Sequence, residues 1–204
     1  MTRRVTKPVA LAILASAHGI SDAAREQIEK YLELLQKWGA RINLTGTTAR
    51  QELLDFHIND CLHLLPHLPD GSLVDVGAGA GLPSVVLACC QPQRSITAVE
   101  PTNKKVAFLR TVKRELGLDK FEVRCTRVEN IDDHRFDIAV SRATWSVDKW
   151  FERAARLVVP GGLIVGMEGR ERFHLDGVER HSYTLGDRQR AIVLKRLDTS
   201  AEPG

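Results

Sequence analysis

The chain has 204 residues, 43% of them hydrophobic and 27% charged, with a formal net charge of +3. That is enough apolar material for one large domain, or for one domain with a substantial extension. No stretch approaches the roughly 20 apolar residues of a membrane span, and the mild basic excess permits nucleic acid as a partner without demanding it.

Arg3, Arg4 and Lys7 precede an apolar run from Val9 to Ala17. A secretory leader has this outline, but Ser16 and His18 end the run and no small-residue cleavage site follows, so a short helix over 8–18 is expected instead. Ser21 or Asp22 then offers an N-cap. Ile28, Tyr31, Leu32, Leu35 and Trp38 repeat at helical spacing up to Gly39. A loop through Ile42-Asn43-Leu44-Thr45-Gly46 leads to a further helix, expected from Ala49 to Leu65 and ended by Pro66. From Leu73 the pattern alternates. Strands are expected at 72–76, 95–100, 121–125, 136–141 and 162–167, with helices at 83–90, 103–117 and 147–158. This order predicts an α/β fold with a parallel sheet covered on both faces. The tail breaks the alternation: His181–Leu185, a turn at 186–189 and Ala191–Leu197 read as a terminal antiparallel strand pair, which makes the sheet mixed. The expected organisation is a helical extension over 1–70, a core over 71–198 and a frayed tail over 199–204.

The stretch from Leu73 to Pro83 reads as strand, glycine turn and proline-opened helix, with free N–H groups facing a ligand at the strand end. Its glycines, Gly77, Gly79 and Gly81, follow a GxGxG spacing and not the GxGxxG of a dinucleotide fingerprint. Asp75 beside the turn repels a pyrophosphate and suits a ligand carrying an ammonium or sulfonium. Glu100 ends the second strand, where a doubly wound fold places the acid that holds a ribose diol. Arg127-Val128-Glu129 follows the third strand, where a loop can border an adenine. Arg142 ends the fourth, at the ligand-binding edge of an open sheet.

The helix over 103–117 is basic. Lys104, Lys105, Arg110 and Arg114 are candidates for phosphate contacts, and Arg170 could extend that surface; a solvated helix face is the competing reading. His57, Cys61, His63 and His67 lack the paired spacing of a zinc site. No G-x-S-x-G elbow and no Walker lysine is present. Cys61, Cys89, Cys90 and Cys125 have neither a CxxC pair nor disulfide-like spacing, so buried thiols in a reducing, cytoplasmic protein are expected.

Asp75 to Gly81, Glu100, Arg127-Val128-Glu129 and the closing strand pair resemble a class I S-adenosylmethionine-dependent methyltransferase, a Rossmann-like fold. Trp38 through Thr45, His57-Ile58-Asn59-Asp60, Leu82-Pro83, Lys104-Lys105 with Phe108-Leu109, and Ser141-Arg142-Ala143 narrow the resemblance to the ribosomal RNA small subunit methyltransferase G family, over about residues 10–197. The resemblance implies S-adenosylmethionine as cofactor and N7 methylation of one guanine in 16S rRNA, as free rRNA or in the small ribosomal subunit. It carries cofactor contacts onto Gly77, Leu82, Val128, Glu129 and Arg142; Asp75, Gly79, Gly81 and Glu100 come from the residue reading. No metal, no membrane and a monomer are expected with it. Glu168 departs from the family, where a lysine is usual, and is expected to weaken RNA contact unless Arg170 takes over. A methyltransferase with another acceptor, a silent cofactor-binding assembly factor and, disfavoured by GxGxG, a nicotinamide-dependent oxidoreductase remain as alternatives.

Overall fold

A computed structural model describes residues 10–132, 135–142, 144–169 and 175–199. The expected tail is therefore described only at Thr199, and Arg170 lies outside the described residues. The amino-terminal part is helical. α1 (Leu11–His18) ends on Gly19 at φ 64°, a left-handed conformation that glycine adopts without penalty. α2 (Asp22–Gly39) begins where the Ser21 hydroxyl accepts the Ala24 N–H at 3.2 Å. The helix expected over 49–65 is α3 (Arg50–Leu53) and α4 (Asn59–Leu62) joined by a π-helical turn, Leu54–Ile58. Apolar periodicity gave no sign of that turn.

β1 (Leu73–Val76), α5 (Ser84–Cys90), β2 (Ile96–Val99), α6 (Asn103–Leu116), β3 (Phe121–Arg124), β4 (Phe136–Arg142), α7 (Val147–Ala154), β5 (Val158–Glu168), β6 (Glu179–Leu185) and β7 (Arg188–Arg196) follow. The sheet order is β3-β2-β1-β4-β5-β7-β6. β1 to β5 run parallel, and β7 is antiparallel to both neighbours. The mixed sheet and its terminal pair thus match the expectation. Three boundaries differ. α7 ends at Ala154 and not at 158, since Val158 already belongs to β5. β5 starts at Val158, not 162, because Val158 already pairs with Phe136; Val159–Gly162 then bulge out, with Gly161 at φ 78°, before Leu163 meets Ile138. β7 starts at Arg188, because Leu185 pairs with Arg188 and leaves only Gly186-Asp187 as a two-residue turn.

β1 is buried along its whole length, so its side chains face two cores. Leu73 joins Ile138, Leu163, Val85, Phe108 and Leu109 on one face, in a cluster that also holds Leu11, Leu14, Ile28, Leu32, Ile58 and Leu62 from the amino-terminal helices. Val74 and Val76 join Val99, Ala139, Ile164, Trp150 and Phe151 on the other. Among the described residues no helix is long and apolar enough to cross a membrane. From β1 the chain builds outward through β2 and β3, then returns to place β4 on the other side. The order reverses between β1 and β4, and a doubly wound sheet opens its ligand crevice there, at the carboxyl ends of the strands.

Candidate functional site

The glycine turn follows β1 at that crevice. Gly77, Gly79 and Gly81 have φ of 74°, 59° and 91°. A Cβ on Gly81 would come within 2.4 Å of Val85 Cγ2 and 2.9 Å of Leu109 Cδ2, so Gly81 is fixed by packing of the turn on α5 and α6. A Cβ on Gly79 meets nothing nearer than the Gly77 carbonyl at 3.7 Å; this position lies open over the crevice. The Gly77 and Ala78 N–H groups both donate to Val99 O, at 2.9 and 3.0 Å. The Gly79 N–H donates to Glu100 Oε2 at 3.0 Å. Three of the donors expected to face a ligand, on Gly77, Ala78 and Gly79, are thus used to tie the turn to Val99 and Glu100, and the Gly81 N–H closes on Ala78 O at 2.7 Å.

The turn is also held from outside. Tyr31, wholly buried in α2, donates its hydroxyl to Ala80 O at 2.6 Å. Arg142 Nε donates to Leu82 O at 3.2 Å. Pro83 stands at the N-cap of α5 and not inside its first turn, after a cis Leu82–Pro83 peptide. Asp75 is 1% exposed, and its Oδ2 accepts the Ser84 N–H at 3.1 Å. Burial pushes its carboxyl up to about 6. The side chain braces α5 beneath the turn and does not line the crevice, contrary to the expected contact with a ligand's cation.

The crevice is a cavity of about 480 Å³ whose walls include Leu44, Thr45, Gly77 to Ala80, Leu82, Glu100, Lys105, Arg142 and Thr144. That size lies within the usual range of small-molecule sites, about 300–1,000 Å³. Glu100 is almost fully buried; its Oε1 accepts the Thr102 N–H at 2.9 Å. A carboxylate has about four acceptor sites, so two remain for the adjacent hydroxyls of a ribose. Lys105 reaches the cavity from the first turns of α6.

Arg142 closes the other end. Its Nη1 donates to Asp60 Oδ2 at 3.2 Å, and its Nη2 lies 3.2 Å from His57 Nδ1. A guanidinium only donates, so Nδ1 must be the unprotonated nitrogen of His57. Burial and the neighbouring Arg142 push His57 down to about 4, which keeps the ring neutral. Asp60 Oδ1 accepts the Tyr183 hydroxyl from β6 at 2.7 Å.

The structure therefore brings Gly77, Gly79, Leu82, Glu100, Lys105 and Arg142 together around one cavity. Gly81 supports the turn from behind. Val128 is buried in the second core, and Glu129 faces out and pairs with Arg153 at 3.0 Å; neither lines the cavity. Lys104, Arg110 and Arg114 are exposed on α6, and Arg114 pairs with Glu115 at 2.8 Å. Glu168 points inward, 5% exposed and ion-paired with Arg180, so it does not present the exposed anion expected to repel RNA. Sequence reading gave no role to Tyr31 beyond its helix stripe, and none to Asp60, Thr144 or Tyr183. Leu44, Thr45 and Asp60 stood only within matching motifs, and His57 was in addition set aside as a zinc ligand.

The family model for rRNA small subunit methyltransferase G (GidB) matches residues 24–192. A relative named ribosomal RNA small subunit methyltransferase G from Anaeromyxobacter dehalogenans is 39% identical over 189 residues, 90% of this chain and 85% of the relative. One of the same name from Methylobacillus flagellatus is 38% identical over 146 residues, 71% of each. Among solved structures, a SAM-dependent methyltransferase from Aquifex aeolicus has a TM-score of 0.54 at 16% identity, covering 70% of this chain and 92% of that one. The Pyrococcus horikoshii protein TYW2, solved in complex with MeSAdo, has a TM-score of 0.54 at 15% identity, covering 71% and 63%. At such identities these two structures speak for the fold.

Proposed function

The chain belongs to the rRNA small subunit methyltransferase G family and is an S-adenosylmethionine-dependent methyltransferase, and on that premise we propose that it methylates N7 of one guanine in 16S rRNA, within the cytoplasm and as a monomer. One observation carries the link from family to chemistry: the cavity at the β1–β4 switch joins an open glycine at position 79 to a buried carboxylate, Glu100, and a cavity-lining guanidinium, Arg142. That donor and acceptor set fits a ligand with ribose hydroxyls at one end and an oxygen acceptor at the other.

S-adenosylmethionine, when bound, supplies a methyl group on a sulfonium. Glu100 would hold the ribose hydroxyls, and Gly77 to Leu82 would lie under the ribose and methionine end. Val128 and Glu129, on the loop after β3 and outside the cavity walls, would border the adenine through their backbone where the ligand extends past Glu100. Guanine N7 already carries an in-plane lone pair, so the protein need not remove a proton before attack. Among the described residues the cavity walls agree with this: they hold no histidine and no second carboxylate beside Glu100. Catalysis then rests on alignment and on exclusion of water. Arg142 would donate to an oxygen of the cofactor or to guanine O6, since a bond to N7 would block the nucleophile.

Residues 1–70 would serve as an extension, helical where it is described from residue 10, whose Leu44 and Thr45 wall the acceptor side, and 71–198 as the methyl-transfer core. Lys104, Lys105, Arg110 and Arg114 would meet RNA phosphates, and Arg170, outside the described residues, would add a further contact. The test is to incubate small subunits from a strain lacking the gene with the protein and S-adenosylmethionine, then map N7-methylguanine in 16S rRNA. One new modified guanine is expected; no new modification overturns the reading.

A further inference from the structure

Asp60 is 4% exposed, and it joins three parts of the chain that are distant in sequence. The π-helical turn Leu54–Ile58 and α4 place His57 and Asp60, three residues apart, on one helix face toward the end of β4. π turns inside helices recur at functional sites. Both oxygens of Asp60 are engaged: Oδ2 by Arg142 Nη1 at 3.2 Å, Oδ1 by the Tyr183 hydroxyl at 2.7 Å, with Arg190 Nε 4.0 Å from the latter. Arg142 has five N–H groups. Leu82 O, Asp60 and His57 take one from each of its three nitrogens. Two N–H groups remain on a side chain that lines the cavity.

We propose that Asp60 is a positioning residue, which with His57 and Tyr183 fixes the Arg142 guanidinium so that its two remaining N–H groups are presented to an oxygen acceptor in the cavity. The inference rests on reading that cavity as the methyl-transfer site. An arginine at the end of a strand has many rotamers. Here its plane is set by a carboxylate, an imidazole nitrogen and a main-chain carbonyl, each on a different nitrogen. Tyr183 extends the control to β6, so the last hairpin helps to orient a group at the mouth of β4.

The test is a double-mutant cycle. Wild type, Asp60→Asn, Arg142→Ala and the double variant are compared for kcat on unmethylated small subunits and for S-adenosylmethionine Kd by calorimetry. Asp60→Asn is expected to worsen, at least fivefold, the same constant that Arg142→Ala worsens, and to add nothing once Arg142 is gone. Tyr183→Phe, which removes only the hydroxyl, is expected to move that constant two- to fivefold in the same direction. Losses that multiply in the double variant, or Asp60→Asn with a lower Tm but unchanged constants, would overturn the inference. If Asp60→Asn does not fold, unchanged constants in Tyr183→Phe overturn it instead. Inactive wild-type protein sinks the functional reading itself, whereas active wild type with either adverse result sinks only the role of Asp60.

Discussion

Single residues in the crevice divide by what their polar atoms already do. Glu100 keeps acceptor capacity toward the cavity, while Asp75, two residues from the first glycine, is turned beneath the turn and gives its Oδ2 to the Ser84 N–H. Burial raises Asp75 to about 6, so the folded protein holds a proton that the unfolded chain releases near pH 4. Stability tied to that proton is present at low pH and is lost as pH rises through about 6. Asn in its place keeps an oxygen for the Ser84 N–H and has no charge to bury. The stability difference between Asp75→Asn and wild type should therefore shift in favour of the variant by roughly 2 kcal/mol from pH 4 to pH 8. Denaturant unfolding at the two pH values measures the shift, and His57, which titrates with the opposite sign, is common to both proteins and cancels.

At the scale of elements, the glycine turn is a suspended segment. Hydrogen bonds from its N–H groups run to Val99 and Glu100, and its carbonyls accept from Tyr31 in α2 and Arg142 in β4. The amino-terminal helices thus set the height of the turn as well as covering the sheet. Tyr31→Phe keeps the ring and leaves the Ala80 carbonyl without its buried donor. An orphaned buried acceptor costs about 1–3 kcal/mol, so Tm should fall accordingly. S-adenosylmethionine Kd should rise severalfold as the turn relaxes, because the lost bond acts on the cradle itself. A normal Kd with a lowered Tm would confine Tyr31 to the core.

For the whole molecule, α6 links the cavity to a basic surface: Lys105 lines the cavity, while Lys104 and Arg110 of the same helix stand exposed. Changing Lys104 and Arg110 to glutamate should weaken binding to small subunits and reduce the slope of log affinity against log salt by roughly 1–2, since each phosphate contact releases about 0.7–0.9 of a counterion. Binding of S-adenosylmethionine should stay as in wild type; an unchanged salt slope would return α6 to a solvated face. Arg114 is left out of this variant because Glu115 already pairs with it. Local pattern was sufficient for the strand–helix alternation, the terminal antiparallel pair, the glycine turn and Glu100, because each depends on residue types close in sequence. The π turn was invisible, since it changes helix register without changing the apolar stripe. The grip on Arg142 was also invisible: Asp60, Tyr183 and Leu82 lie 82, 41 and 60 residues away along the chain. The sequence by itself determined that a glycine turn, an acid and an arginine would stand at three strand ends, because strand ends follow from local periodicity. Only the tertiary structure decided which of their atoms face the cavity, because a buried polar atom goes to whichever partner the packing of distant elements brings within hydrogen-bond reach.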